Sequence, residues 1–298
     1  MILNFHIVDV FAEEKYQGNQ LAVFENADGL SNETMLKIAR EINFQETTFI
    51  ISDEEKNGGF DVRIFTPEYE VPFAGHPTLG TAFVLLNSPQ NTDKQSITLN
   101  LKIGQVPVNK EDEILWLEIN NPIFGKNFNS EIANLFGLKS EDIDEKLPIE
   151  VVSTGLPYLI LPLKNLDAIQ RIRFNDEQIK NWLLDNNLYK TNAPDELTTA
   201  FFAFTRETEK AENQLHARMF CYENGKIIED AATGSANSCL LAYLLKYEAS
   251  EISYRVEQGY EMGRPSLIQI KGVVNEKQDF SLKVGGKTKL IAQGKWFV

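Results

Sequence analysis

Cysteine is nearly missing from this chain: two in 298 residues, Cys221 and Cys239. Two cysteines do not supply a disulfide framework, and so low a count fits a reducing cytoplasm. Histidine is scarce as well, three in all, with no clustered His/Cys set, so no metal is expected. Neither a Gly-x-Gly-x-x-Gly stretch nor a P-loop lysine is present, so no cofactor is expected either. No apolar run approaches the roughly 20 residues that span a bilayer. The opening segment Met1–Val10 lacks a basic region and is interrupted by Asp9, so it reads as a first strand and not as a signal peptide. Positive charge is short, 29 basic against 43 acidic residues for a net −14, which argues against nucleic acid and anionic membranes as partners. An anionic substrate must therefore be attracted by local groups.

What the chain does have is a repeat. Arg63-Ile64-Phe65 leads through a turn into Ala74-Gly75-His76-Pro77-Thr78 and an apolar run; Arg218-Met219-Phe220 leads into Ala231-Ala232-Thr233-Gly234-Ser235 and another. Each copy reads as strand, turn, strand, then a Gly- and hydroxyl-bearing loop opening onto a helix. Free backbone N–H groups backed by a helix dipole favour an anion. Two such mouths facing one another would grip a small carboxylate, the expected small-molecule partner.

The two runs, Thr78–Asn87 and Ala236–Lys246, are apolar on every side and kept slim by Gly80, Ala82, Ala236 and Ala242. A helix hydrophobic all round is a buried helix, and among so many short strands its housing is a curled sheet. The fold class expected is α+β: two similar domains, each a curled mixed sheet or barrel around a central buried helix. The boundaries read as 1–120, with the C-terminal strand at about 283–298 a candidate to complete that domain, and 121–282. Asn120 to about Asn129 is the linker candidate. Ser31 can cap a helix running to about Asn43, and Gly285-Gly286 is a hairpin signal.

Glu46 stands at the mouth of a strand-like run and can carry a proton if its surroundings raise its pKa; position alone favours a solvated edge carboxylate. His76, just before Pro77, can donate to a substrate oxygen or simply bond a neighbouring carbonyl. Asp230 is either a second acid of the site or a residue favoured near a helix N-terminus without any chemistry. Ser235 and Thr78 read as equivalent positions and plausible N-caps, and Ser235 has a hydroxyl to spend on a ligand. His6 and His216 read as ordinary sheet residues. Arg264 more simply ties a turn than meets a substrate.

Six blocks in order resemble the PhzF-like (phenazine-biosynthesis) family. They are Val8-Asp9-Val10-Phe11 with Gly18-Asn19; Glu46-Thr47-Thr48-Phe49; Arg63 to Pro67; Gly75 to Gly80; Asp230 to Ala236; and Gln258-Gly259 with Met262 to Ser266. The resemblance implies the diaminopimelate-epimerase-like fold with the active site in the cleft between two domains. It implies cofactor-free isomerisation in which Glu46 moves the proton, His76 and Asp230 line the site, and Ser235 with the amides around Gly75 and Gly234 holds the substrate carboxylate. Homodimers are common in the family. Related epimerases use paired thiols; the matching positions here read as Ala74 and Ala231, so one acid returning a proton to another carbon fits better. Gln20 and Ala231 stand where the family usually has Pro, and Asn237-Ser238 is more polar than usual. The expected activity is an isomerase acting on a small carboxylate. A racemase using Glu46 with another base, or a metabolite-binding protein that keeps the cleft, are the competing readings.

Overall fold

The buried helix expected after Ala74 is the centre of the first of two units into which the chain divides in a computed structural model describing residues 1–298. The first unit comprises Met1–Glu118 with Gly285–Val298, the second Ile119–Val284. No helix is long and apolar enough to cross a membrane.

In the first unit, β1 (Ile2–Val10) lies between β2 (Asn19–Glu25) and the last strand of the chain, β18 (Thr288–Phe297), antiparallel to both. Helix α1 (Asn32–Ile42) crosses over to β3 (Thr47–Ile50), which runs parallel to β2. Ser31 caps α1 as expected, accepting from the Thr34 N–H. Antiparallel to β3 comes β4 (Phe60–Phe65), which turns back into the short β5 (Glu70–Val71). Helix α2 (Gly75–Leu86) follows. The meander β6 (Ser96–Leu101), β7 (Gly104–Glu111) and β8 (Ile114–Ile119) then joins the sheet, β6 parallel to β4. The sheet curls around α2, which touches β1, β2, β3, β6, β7 and β18. Its other face packs on α1 through Phe24, Phe49 and Phe65, with the Phe24 and Phe49 rings stacked at 5.2 Å.

The second unit repeats this plan. Strands β9 (Ile123–Phe128), β10 (Ile149–Ser153) and β11 (Pro157–Pro162) are successively antiparallel. A crossover holding α3 (Leu166–Gln170) and α4 (Asp176–Asp185) returns to β12 (Ala200–Thr205), parallel to β11. The hairpin β13 (Leu215–Glu223)–β14 (Lys226–Asp230) leads into α5 (Gly234–Tyr247). Then β15 (Glu251–Gln258) pairs parallel to β13 and antiparallel to β16 (Ser266–Val274), before β17 (Phe280–Gly286). This sheet wraps α5, while Phe136, Ile179, Leu183, Phe201 and Phe220 fill the core on its other face.

Three expectations need correction. Residues 120–129 are not a linker, because Ile123–Phe128 is strand β9, hydrogen-bonded along β10. Gly285-Gly286 is no hairpin turn: neither residue has the positive φ of a primed turn, and both close β17. Gly285 instead permits a close approach, since a Cβ there would meet the Leu115 carbonyl oxygen at 2.5 Å. Thr78 and Ser235 are not equivalent. Phe65 pairs with Glu70 as Phe220 pairs with Glu229, so these anchor the alignment of the two copies. The second hairpin is longer, and α2 and α5 begin at Gly75 and Gly234. Counting from those glycines, Ser235 is the counterpart of His76, and Asn237 that of Thr78. The bonding agrees: Thr78 Oγ1 donates to the Ala74 carbonyl at 2.7 Å, and Asn237 Nδ2 to the Thr233 carbonyl at 3.0 Å.

Candidate active site

Both helix mouths are uncapped by side chains. The residues before the first turns, Ala74 and Thr233, are extended, provide no capping bond, and neither first turn contains an acid. Gly75 and Gly234 are the first helical residues, so the positive ends of α2 and α5 stay uncompensated from within their own turns. Thr78 and Ser235, read as possible caps, do not serve as such: each hydroxyl is engaged elsewhere.

At the α2 mouth the structure brings Glu46 and His76 together. Glu46 immediately precedes β3, and by strand alternation it shares a face with Thr48, whose hydroxyl lies 2.8 Å from that of Thr81 on α2. This row of β3 therefore faces α2. The Glu46 side chain is 18% exposed and its Oε2 lies 3.6 Å from His76 Nε2. Its setting is thus a partly enclosed one, unlike a solvated strand edge. His76 is buried, which pushes its pKa down to about 3, although a hydrogen bond to the Gln20 backbone opposes the shift. The ring is therefore neutral. Nε2 makes no hydrogen bond, so the bond to the Gln20 carbonyl comes from Nδ1–H, and Nε2 presents a lone pair toward Glu46.

At the α5 mouth a different set assembles. The Thr233 hydroxyl donates to Asp230 Oδ2 in a short bond. Gln258, at the end of β15, donates from Nε2 to the Asp230 carbonyl at 2.9 Å and to Thr233 Oγ1 at 3.0 Å. Its Oε1 accepts from the Thr233 N–H at 3.2 Å and from Asn237 Nδ2 at 3.0 Å. Every bonding direction of that amide is used, so it holds the Asp230–Gly234 loop in one conformation. Gly259 follows with φ +77°, and a Cβ there would strike the Ala231 carbonyl at 2.5 Å, so only glycine lets the turn sit against the loop. Ser235 Oγ lies 2.7 Å from the Tyr158 hydroxyl on β11. The polar pair Asn237-Ser238 is structural here. Asn237 ties helix to loop, and Ser238 donates to the Ser235 carbonyl at 2.7 Å.

Sequence reading missed Gln258, Thr233, Tyr158 and His216 as site or support residues. His216 is no ordinary sheet residue: it is fully buried between two carboxylates, Nδ1 2.9 Å from Glu257 and Nε2 3.0 Å from Glu261. Burial alone would lower its pKa, but the two acids raise it to about 9, so it is an imidazolium donating both ways. The signal was present only as a histidine and two neighbouring acids 41 and 45 residues further on, joined when β13 pairs with β15. The repeated Arg-x-Phe proves to be a clamp. Arg63 grips Glu70 through two bonds of 2.8 and 2.6 Å, and Arg218 grips Glu229 through two of 2.8 and 2.7 Å. Each guanidinium also lies over its own phenylalanine, at 5.0 Å from Phe65 and 4.8 Å from Phe220.

Neither cysteine occupies a position before the first turn of α2 or α5. Cys221 is in β13; Cys239 is inside α5, where burial pushes its thiol up to about 11.

Known proteins resemble the chain in sequence and in fold. Residues 8–294 match the family described as phenazine biosynthesis-like protein. An uncharacterised isomerase of Mesorhizobium japonicum is 33% identical over 309 residues, covering 99% of each chain. The trans-2,3-dihydro-3-hydroxyanthranilate isomerase of Pseudomonas aeruginosa is 30% identical over 300 residues, covering 98% of each. Among solved structures, a PhzF-family phenazine biosynthesis protein of Bacillus anthracis superposes with a TM-score of 0.85 at 26% identity, over the full length of both chains. Matched along nearly its whole length in sequence and in fold, the chain belongs to the phenazine biosynthesis-like (PhzF) family and is an isomerase.

Proposed function

We propose that this isomerase works without a cofactor, shifting a proton between two carbons of a small carboxylate of the cyclic dihydro-hydroxyanthranilate kind named for its relatives. Glu46 takes a proton from a carbon activated by conjugation. The electron pair left behind delocalises, and Glu46 returns the proton to another carbon, so substrate and product have the same composition. His76 serves Glu46: a neutral ring with its Nε2 lone pair toward the carboxyl favours the moment when Glu46 carries the proton. The amides at Gly75 and Gly234 and the Ser235 hydroxyl are assigned to the substrate carboxylate, and Asp230 to polarising the ring substituents.

The observation that carries this reading is the Glu46 carboxyl 3.6 Å from a buried, uncharged imidazole at an uncapped helix mouth. The Pseudomonas aeruginosa relative supports the reaction class by its name alone. Incubation with trans-2,3-dihydro-3-hydroxyanthranilate in deuterated water, followed by NMR, tests it. One deuterium, or the substrate's own proton, should arrive at a new carbon, and Glu46→Gln should slow this by about 10²- to 10⁴-fold. Equal turnover by Glu46→Gln removes Glu46 from the reaction. Exchange with inversion at a single carbon means racemisation, and an unchanged spectrum with wild type rejects this substrate.

A further inference from the structure

Two hydroxyl protons at the α5 mouth share one hydrogen bond. Tyr158 Oη and Ser235 Oγ lie 2.7 Å apart, and neither oxygen has another hydrogen-bond partner within the protein. One proton lies between them, and the other has no acceptor. Tyr158 is 3% exposed, whereas Ser235 is only half-buried. Leaving a buried donor unmade costs about 1–3 kcal/mol, and a partly exposed hydroxyl escapes that penalty by turning outward. So the phenol must be the donor. Burial also pushes its pKa well above the usual tyrosine range, which keeps that proton in place.

We infer that Tyr158 is a positioning residue: by donating to Ser235 Oγ it turns the serine hydroxyl proton outward, setting the α5 mouth to receive a hydrogen-bond acceptor such as a carboxylate oxygen. The inference rests on the assignment of Ser235 to the substrate carboxylate. Two further features of the molecule support it. Ser235 is held on its other side, its carbonyl accepting from Ser238 Oγ at 2.7 Å and Ser238 in turn lying 2.6 Å from Thr154 Oγ1. The hydroxyl is therefore the one part of Ser235 left to be aimed. The scaffold also has no need of a phenol at this place. Register across β2–β3–β4 and β11–β12–β13 makes Leu21 the counterpart of Tyr158, so an apolar side chain completes the first unit where the second has a hydroxyl. In both units a residue at this level of the sheet meets the second residue of the central helix, Glu46 meeting His76 and Tyr158 meeting Ser235.

The test is a double-mutant cycle on Tyr158→Phe, Ser235→Ala and the pair, read two ways. The first is kcat and KM for trans-2,3-dihydro-3-hydroxyanthranilate, together with binding of its aromatic, non-isomerisable counterpart 3-hydroxyanthranilate. The second needs no ligand: the ζ-carbon NMR shift of Tyr158 in tyrosine-labelled protein, with and without Ser235. Ser235→Ala should weaken probe binding about 10-fold or more, as expected for a lost bond to a charged group. Tyr158→Phe should weaken it by about 3- to 10-fold, chiefly in KM, and add almost nothing once Ser235 is gone. The Tyr158 resonance should move in Ser235→Ala. A Ser235→Ala protein that binds as wild type does overturns the carboxylate assignment itself. A damaged Ser235→Ala with an unaffected Tyr158→Phe, additive losses, or a Tyr158 resonance indifferent to Ser235 overturns the positioning role.

Discussion

The buried Glu257–His216–Glu261 trio makes a quantitative claim about stability against pH. His216 has a folded pKa of about 9 against 6.5 for an unperturbed ring, a difference worth about 3 kcal/mol of folding free energy. All three side chains are at most 15% exposed, so solvent screening discounts this little. The folded value lies above the unfolded one. The stabilisation is therefore complete below pH ~6.5 and disappears as pH climbs through ~9. The partners act with the opposite sign. Glu257 accepts the Glu209 and Lys210 N–H groups, Asn213 Nδ2 and His216, and Glu261 accepts His216. Although burial alone would raise both carboxyls, these bonds hold them below their ordinary 4.5, so their contribution is lost as pH falls below that value. The trio thus gives most between pH ~4.5 and ~6.5. His216→Gln alone would strand two buried anions, so the fair reference is His216→Gln/Glu261→Gln, which removes one charge of each sign. Urea unfolding of wild type and reference should show a stability gap greatest near pH 6 and smaller by about 3 kcal/mol near pH 10. The ionisations both proteins share, including those of Cys239 and Tyr158, cancel in the difference. A gap that stays level across that range would refute a charged His216.

Gly80 on α2 faces β1 and β2, and a Cβ there would come within 2.5 Å of Leu21 Cδ2 and 2.9 Å of Val10 Cγ2. Gly80→Ala should therefore lower stability by about 1–3 kcal/mol for overpacking, against a helix-propensity gain of about 1 kcal/mol, and a raised melting temperature would contradict the tight seat of α2. The two arginine clamps should differ in worth. The Arg218 side chain is 9% exposed and makes a further, buried bond to the Ile169 carbonyl, whereas the Arg63 side chain is 24% exposed and its further bond, to Asn32 Oδ1, is exposed. In urea unfolding, Arg218→Lys should cost about 2–4 kcal/mol and Arg63→Lys nearer 1 kcal/mol, and the reverse order would dismiss burial as the deciding factor.

Much of this was legible because it depended on local pattern. Two helices apolar on every side require a wrapping sheet, and Ser31 names its own helix start. Arg63 and Arg218 were visible as a repeat, yet their purpose was not, since Glu70 and Glu229 reach them only once a hairpin folds back. His216 failed for the same reason at longer range. A histidine in an apolar strand looks inert until β15 delivers Glu257 beside it. Residues 120–129 misled in the opposite sense: Asn-Asn-Pro is a loop signal, but the strand that follows is an edge whose polar residues need no burial, and its pairing to β10 is invisible locally. The register between the two copies slipped because a longer second hairpin moves the helix start relative to Arg-x-Phe, and loop composition cannot report an insertion one element earlier.

That slip hides the most informative comparison in the molecule. Once Gly75 is set against Gly234, the second helical residue is His76 in one unit and Ser235 in the other. The scaffold around them is the same: a clamped hairpin, an uncapped mouth, a partner side chain from the adjoining strands. What differs is the chemistry of the partner pair. In the first unit a carboxyl lies beside a neutral imidazole. In the second a phenol lies beside a serine, and neither group ionises near neutral pH. A duplicated fold has thus been given two unlike mouths, and the proposed isomerisation divides between them: the acid at the α2 mouth would move the proton and the hydroxyl at the α5 mouth would hold the substrate. The same asymmetry is what the proposed single-acid mechanism requires. Paired identical groups suit inversion at one carbon from opposite faces, and unlike mouths suit a transfer that begins and ends on a single acid.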